Sequence, residues 1–343
     1  MKISMNSGEN RGKVVMILDI KVIKSEAMFC LESVVASVAK YLNRNYQMMF
    51  SGVWGFQLLS ENSAYPGIIG QRITAGFTDQ DVLKLLEIYH GVKVEIYRIK
   101  QADTLMTNIL RELDRRRPVA FSLNEMYYPW MSQERAGKGF LLVVGYQAEQ
   151  NLLCLDIQSK SPEVKVFPFK ILLDLDEVFK NTSENYFTFS IVNDEAQTIG
   201  YDDFRSNLAN CRSLSDNPFA AMRYLAECIE QEMDYDVERG SYSIDDLYHV
   251  PLLYNVMHIL RARKLLSSSA YYVWERTQIQ LLSDLSMDFL ELGNAWNQVW
   301  NMLFKLFYIS KDSNKLRSKV ADQIRKIAEK EEIVITGVIR NQY

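Results

Sequence analysis

The sequence has few of the residues from which metal sites and disulfides are built. Its 343 residues include three histidines, at positions 90, 249 and 258, and four cysteines, at positions 30, 154, 211 and 228. The cysteines form no Cys-x-x-Cys pair and no metal-ligand spacing, which argues against a structural zinc site. We therefore predict no metal and no cofactor.

Long apolar runs and an excess of basic residues are also missing. The stretch at residues 14–20 is short and contains Asp19, so we predict neither a signal peptide nor a membrane-spanning segment. The formal net charge is −4, with both signs spread along the chain, which argues against neutralisation of nucleic-acid phosphates. The expectation is a cytoplasmic protein with no membrane or nucleic-acid partner.

The first 200 residues predict an α+β fold. Helices are expected from Cys30, over residues 78–90 and over residues 104–117, and residues 50–76, with five glycines, are expected to be a loop. Short β-branched and apolar runs predict strands that are spaced closely enough for an antiparallel sheet, at residues 14–23, 92–99, 118–123, 141–146, 152–157, 164–167 and 186–192.

After about residue 200 the strand patterns stop and helical periodicity continues almost to the end. Asn217 and Pro218 are typical of a helix start. The predicted helices cover residues 220–233, 247–266, 270–292, 294–309 and 314–331. The length fits two domains, which we place at residues 1–200 (α+β) and 201–343 (all-helical).

Cys30 is the candidate nucleophile. It stands at the start of an apolar helical run, where the unpaired N–H groups and the positive end of the helix dipole favour a thiolate. A cysteine in an apolar helix also serves commonly as a packing residue. On Cys30 alone the packing role is the favoured interpretation, and other parts of the first half bear on the choice.

Five blocks of the first half, taken in order, resemble a known family. They are residues 29–33 (FCLES), 50–56 (FSGVWGF), 124–130 (NEMYYPW), 139–146 (GFLLVVGY) and 153–156 (LCLD). Together they resemble the amino-terminal domain of the butirosin biosynthesis protein H-like family. The resemblance implies a papain-like cysteine acyltransferase domain with an antiparallel sheet and an amino-terminal cysteine helix, followed by a helical domain.

The resemblance assigns roles to particular positions. Cys30 would be the nucleophile, and Asp156 would orient the catalytic base. The base itself would stand at Gly139, which has no titratable atom. Lys24 stands six residues before Cys30, where papain-like enzymes often have a glutamine that donates to the oxyanion.

Aromatic residues and the three histidines leave alternatives open. Tyr127, Tyr128 and Trp130 follow a predicted strand, where they form either core packing or a substrate-binding wall for an acyl group. His90 is expected to be a helix-terminal residue and His258 a packed one, whereas His249 is the candidate to replace the missing base from the second domain.

Three functions remain. The first is an acyl or aminoacyl transferase of natural-product biosynthesis that acts on carrier-protein thioesters. Its expected partners are an acyl or peptidyl carrier protein and a small-molecule amine acceptor. The second is a pseudoenzyme that retains the fold as a scaffold or carrier-binding component. The third, a cysteine peptidase, would suffer most from the missing base, because general-base catalysis contributes about 10²–10⁴-fold in rate.

Overall fold

The computed structural model describes residues 14–60, 67–75, 77–131, 137–147, 151–159, 162–196, 198–212, 217–309 and 314–340. The chain divides into two compact units, each made of two separate segments of sequence. The first unit comprises Met1–Asn45 and Val92–Asn193, and the second comprises Tyr46–Gly91 and Asp194–Tyr343. Each unit has its own core of fully buried apolar side chains.

The described residues form strands and helices that we number in chain order. The strands are β1 (Val14–Ile17), β2 (Gln57–Leu58), β3 (Ile73–Thr74), β4 (Val92–Arg98), β5 (Val119–Asn124), β6 (Lys138–Gln147), β7 (Asn151–Asp156), β8 (Val164–Pro168) and β9 (Asn185–Ile191). The helices are α1 (Cys30–Tyr41), α2 (Ile69–Arg72), α3 (Asp79–His90), α4 (Ala102–Asp114), α5 (Phe169–Asp174), α6 (Asp176–Asn181), α7 (Tyr201–Arg212), α8 (Pro218–Glu227), α9 (Tyr235–Arg239), α10 (Pro251–Thr277), α11 (Gln280–Ile309) and α12 (Asn314–Arg340).

The first unit is built on a seven-stranded sheet. The strand order is β4-β9-β5-β6-β7-β8, with β1 paired to the far end of β6, and every pairing is antiparallel. Gly139 on β6 lies opposite Leu123 on β5, and Asp156 on β7 lies opposite Leu141. Because side chains alternate between the faces of a strand, Gly139 and Asp156 belong to the same face of the sheet.

Helix α1 packs against β6. All of its residues from Leu31 to Ala39 are buried, which explains why most of them are apolar. An α and β fold with an antiparallel sheet and a helical carboxyl-terminal region is therefore confirmed. The finer expectation, a papain-like fold, stays a prediction.

The second unit is mainly helical. Its amino-terminal segment contains α3, which begins and ends as the sequence predicts: Thr78 and Asp81 form a capping box, and Gly91 ends the helix with φ 65°. Asn217 caps α8 by accepting from the N–H of Ala220 at 2.9 Å. No helix among the described residues has the length and apolar composition needed to cross a bilayer.

Two predicted helix boundaries are wrong. Helix α10 continues through residues 267–269, and α11 continues through Gly293. The true interruption lies at Gln278, which has φ 56°. A Cβ atom added at Gly293 would lie 2.7 Å from Cγ of Lys264 and 3.2 Å from the carbonyl oxygen of Leu260. This glycine therefore permits close packing of α11 on α10 and does not end a helix.

The sequence-based division at residue 200 assigns residues 46–91 to the first domain, whereas the structure places them in the second unit. A helical turn at Gln47–Phe50 leads into the segment expected to be a loop, and that segment contains the short hairpin of β2 and β3, and α2. These elements pack on α8 and α10. The turn and α2 both contact α10. Burial of this segment against the helical core is therefore the physical reason why it belongs to the second unit. Gly76 lies outside the described residues.

A buried carboxylate joins this segment to three helices of the same unit. Glu331 of α12 accepts from Arg263 of α10 at 2.8 and 3.0 Å, from the indole of Trp54 at 2.8 Å and from the indole of Trp296 on α11 at 2.8 Å. Arg263 also donates to the carbonyl oxygen of Gly55 at 3.1 Å. The side chains of Arg263 and Glu331 are both 0% exposed.

Removal of this carboxylate is expected to destabilise the protein strongly. Glu331→Ala leaves a buried guanidinium and two indole N–H groups without their acceptor, so we expect a loss of about 3–5 kcal/mol in the free energy of unfolding. Urea denaturation of the full chain measures it. Glu329→Ala, at an exposed position of the same helix, should change the value by less than about 0.5 kcal/mol. Equal effects of the two substitutions would contradict the role of this pair.

Candidate functional site

Cys30 is the first residue of α1, after Phe29 in extended backbone conformation. The first N–H groups of a helix have no acceptor within the helix, so the Cys30 sulfur stands beside backbone donors. The residue is half-buried, whereas Cys154, Cys211 and Cys228 are buried. The thiol is therefore the accessible one of the four.

The side-chain amide of Gln158 contacts this thiol. Its Nε2 atom donates a hydrogen bond to Sγ of Cys30, and Gln158 itself is exposed. Asp156 shapes the loop that presents it: Oδ1 of Asp156 accepts from the N–H of Gln158 at 3.1 Å and from the N–H of Ser159 at 3.3 Å. An aspartate that accepts from the backbone two residues further on forms a local turn of this kind.

The second oxygen of Asp156 holds an aromatic side chain. Oδ2 accepts from the indole N–H of Trp130 at 3.0 Å and lies 3.8 Å from Nζ of Lys165. The Lys165 ammonium also lies 4.9 Å from the centre of the Trp130 ring. The carboxylate that we expected to orient a catalytic base is thus engaged by an indole and an ammonium, and Asp156 is 5% exposed.

The space beside Gly139 is filled. A Cβ atom added at Gly139 would lie 2.5 Å from the hydroxyl oxygen of Tyr128, 3.0 Å from Cγ of Glu125 and 3.1 Å from Oε1 of Glu125. Tyr128 is 3% exposed and Glu125 is 8% exposed. The space where the resemblance would put the base is therefore not open, because these two side chains, both from the residues that follow β5, occupy it.

The hydroxyl of Tyr128 has no hydrogen-bond partner among the described residues. Burial raises its pKa strongly, and the nearby charges of Asp156, Glu125 and Cys30 raise it further. Tyr128 therefore stays neutral and keeps an O–H group to donate. A buried hydroxyl without a partner is uncommon in proteins and calls for an explanation.

The electrostatics of the site disfavour the thiolate. Burial raises the pKa of the Cys30 thiol above its ordinary value, and the charges of Glu32 and Glu125 raise it further. The hydrogen bond from Gln158 and the thiol's own backbone N–H act in the opposite direction but are outweighed. Burial and the two carboxylates therefore act against the thiolate that the helix terminus favours.

No histidine belongs to the sequence of the first unit. In the second unit, buried His90 accepts from the N–H of Met48 at 3.2 Å through Nε2, and its Nδ1 lies 2.6 Å from Oε1 of Glu195. Burial lowers the pKa of His258 to about 4. His249 is exposed in the turn Ile244–His249. His90 is the last residue of α3, as the sequence suggested, and it is also buried. His258 packs against the ring of Tyr254, in agreement with the packed role expected for it.

The structure brings Cys30, Asp156, Tyr128 and Trp130 into one cluster. Tyr127, on the short turn Glu125–Tyr127, is half-buried, and among the described residues no hydrogen bond or ring contact joins it to the cluster. Lys24 donates to the carbonyl oxygen of Ser159 at 2.7 Å. Sequence reasoning missed Gln158 and Glu125. An aspartate two residues before Gln158 was the available signal for the first.

Comparison with known proteins does not assign the chain: no protein-family model matches it, and no curated protein matches its sequence significantly. Among the described residues, no group of histidine, cysteine and acidic side chains is arranged to hold a metal ion. The chemistry of the cluster is therefore argued from its own geometry, which supplies a thiol, an amide donor, a phenol and carboxylates.

The raised pKa of Cys30 predicts how its alkylation depends on pH. Below its pKa a thiol gains about tenfold in thiolate fraction per pH unit. We expect the rate of iodoacetamide alkylation, followed by intact mass, to keep rising from about pH 7 to about pH 9 without a plateau. Cys30→Ser should abolish the fast-labelled site. A plateau below about pH 8 would show an activated thiol and contradict this account.

The contact between Tyr128 and Gly139 predicts a coupling in stability. Gly139→Ala should cost about 1–3 kcal/mol by overpacking, whereas Tyr128→Phe, which removes an unpartnered hydroxyl, should be close to neutral. The double variant should cost less than the sum, because the atom that Cβ would strike is gone. Urea denaturation provides the four values.

Gly137→Ala is the matched control for this cycle, since an added Cβ there would meet Oε2 of Glu125 only at 3.5 Å. Its effect should stay within about 0.5 kcal/mol. Additive effects of Gly139→Ala and Tyr128→Phe would show that the two residues do not constrain each other.

Proposed function

We propose that the first unit is a papain-like acyltransferase domain similar to the butirosin biosynthesis protein H-like family. In this proposal Cys30 takes an acyl or aminoacyl group from a carrier-protein thioester and passes it to a small-molecule amine. The observation that carries the proposal is the contact between the Gln158 amide and the Cys30 sulfur at the start of α1. A nucleophile, an amide donor and helix N–H groups meet at one point.

In the first step the Cys30 thiolate attacks the thioester carbonyl carbon, and negative charge develops on the carbonyl oxygen. Gln158 Nε2 and the backbone N–H of Cys30 are the donors that stabilise it. The bond between the carbonyl carbon and the carrier's sulfur then breaks. The carrier thiolate leaves and takes up the proton that Cys30 lost, so that the step exchanges one thioester for another.

In the second step the amine nitrogen attacks the acyl carbon on Cys30. The carbon–sulfur bond breaks, the amide forms, and the nitrogen proton restores the Cys30 thiol. Neither step requires protonation of an amine leaving group, which amide hydrolysis does require. The lack of a histidine in the first unit therefore harms thioester chemistry less than peptidase chemistry, and peptidase activity ranks last.

A second candidate is a non-enzymatic relative that keeps the fold as a carrier-binding or complex-forming component. The filled space beside Gly139 favours it, because Tyr128 and Glu125 stand where a base would have to enter. The raised thiol pKa favours it as well. The two candidates differ in one observable, a covalent bond to Cys30.

Incubation with an acetyl-loaded acyl carrier protein separates the candidates. If Cys30 transfers acyl groups, intact mass spectrometry should detect an acetyl adduct on the protein that Cys30→Ala abolishes, and its rate should rise with pH because the thiol pKa is raised. Gln158→Ala should slow acetylation by about 10²-fold through loss of an oxyanion donor.

Alkylation by iodoacetamide is the control reaction, because it develops no negative charge on a carbonyl oxygen. Its rate, corrected for the thiolate fraction, should be the same in Gln158→Ala and the parent protein. Carrier binding that survives Cys30→Ala, with no adduct at any pH, would refute the transferase and support the scaffold.

A further inference from the structure

The second unit contains a cavity of about 330 Å³, and all the residues that line it belong to that unit. Helix α3 contributes Asp81, Lys84, Leu85 and Ile88. Their spacing along the chain places these residues on one face of the helix. The volume lies at the lower end of the range of about 300–1,000 Å³ that is typical of sites for small molecules. The cavity is therefore a candidate binding site that shares no residue with the cluster around Cys30.

Hydrogen bonds fix the elements that form this cavity. Asn207 of α7 lines it, and its amide nitrogen donates to the hydroxyl of Tyr89 on α3 at 3.1 Å and to the hydroxyl of Ser51 at 2.8 Å. Cys211 of α7 also lines it and donates to the carbonyl oxygen of Gly52. The fold itself thus holds the cavity in shape, so a ligand does not have to order its walls, which would reduce affinity.

Apolar side chains make up part of the lining. Phe77, Leu85 and Ile88 belong to it, and Ile88 is 54% exposed. Gly52 adds no side chain: a Cβ atom built there would lie 2.9 Å from Cδ1 of Leu85 and 3.7 Å from Sγ of Cys211. The glycine therefore leaves open a space that any other residue would occupy. A ligand with an apolar part can bury it against these side chains.

Two opposite charges line the same cavity without pairing. Asp81 and Lys84 are three residues apart on α3, a spacing that allows an ion pair, but Lys84 forms no hydrogen bond or ion pair with any described residue. Oδ2 of Asp81 accepts from the N–H and the hydroxyl of Thr78, both at 2.8 Å, whereas no described donor reaches its Oδ1. The cavity thus offers an ammonium group and a carboxylate oxygen to a ligand.

We propose that this cavity binds a free α-amino acid with a large apolar side chain. Such a molecule is a zwitterion at neutral pH, with an ammonium and a carboxylate on the same carbon atom. The ammonium donates to Oδ1 of Asp81, and the carboxylate accepts from Nζ of Lys84. Hydrogen bonds between charged groups are about twice as strong as neutral ones. The side chain of the ligand packs against Phe77, Leu85 and Ile88.

The two charges also select against ligands that carry only one. A carboxylic acid without an ammonium group pairs with Lys84 but meets the like charge of Asp81. An alkylammonium ion pairs with Asp81 but meets the like charge of Lys84. Repulsion of this kind separates ligands as effectively as attraction does. A zwitterion is therefore the ligand whose charges match both residues.

Three probes of similar shape test the two charges separately. L-phenylalanine carries both, 3-phenylpropanoate lacks the ammonium, and 2-phenylethylammonium lacks the carboxylate. In isothermal titration calorimetry of the full chain at neutral pH and low salt, phenylalanine should bind about fivefold or more tightly than either analogue. Glycine, which has both charges but no side chain, should also bind more weakly. An analogue that binds as tightly as phenylalanine, or no binding of phenylalanine at millimolar concentration, would overturn the proposal.

Substitution of the two charged residues tests their roles. Lys84→Met and Asp81→Asn should each weaken phenylalanine binding by about fivefold or more. Asparagine keeps an oxygen that can accept from Thr78, so the start of α3 is retained. Two matched controls remove the same charges outside the cavity: Lys305→Met at an exposed position of α11 and Asp79→Asn in the first turn of α3. These should bind phenylalanine like the parent protein, and equal losses in the controls would contradict the assignment.

The thiol of Cys211 reports whether the ligand lies in this cavity. Burial raises its pKa to about 12, so its alkylation by iodoacetamide is slow and is followed by peptide mapping after long incubation at mildly alkaline pH. Phenylalanine should slow the alkylation of Cys211 and leave that of Cys30 unchanged, and Lys84→Met should reduce this protection. Protection of Cys30 instead, or equal protection of the two thiols, would contradict this location of the site.

Discussion

The carboxylate of Glu331 is the interaction on which the second unit depends. It receives four donors from three side chains, and these side chains come from α10, from α11 and from the segment before α3. A buried ion is tolerated only when its hydrogen bonds are satisfied. The arrangement therefore requires residues 46–91 to fold against the helical core, although the sequence places them inside the first half of the chain.

In the first unit the corresponding constraint is the absence of a side chain at Gly139. Because β6 carries only hydrogen there, the Tyr128 hydroxyl and the Glu125 carboxylate can approach the strand closely. Register places Asp156 on the same face. The result is a cluster whose titratable groups are a phenol, carboxylates and a thiol. A histidine at position 139 would require Tyr128 to move. With Tyr128 in its present place, only a residue without a side chain fits at position 139.

The strands and the ends of α3 could be predicted from the sequence because their determinants are local. Thr78, Asp81 and Gly91 act within one helix, and alternating apolar residues mark most strands. Gly293 led to a wrong helix boundary, because a glycine in a helical pattern can mark either the end of a helix or a close approach to another helix. Only the neighbouring helix decides between the two. The contact between Gln158 and Cys30 joins residues 128 positions apart. No local sequence pattern predicts a contact between residues so far apart. For the same reason, no pattern predicts that Glu125 lies beside Gly139.

The charge around Cys30 bears on which substrates would suit this thiol. A peptidase needs a thiolate at neutral pH and an acid to protonate the leaving amine, and burial together with Glu32 and Glu125 opposes the first of these. A thioester donor relaxes both requirements, because its carbonyl carbon is more electrophilic than that of an amide and its sulfur leaves without first taking up a proton. A thiol whose pKa is raised by burial and by two carboxylates is therefore better matched to an activated thioester donor than to an amide.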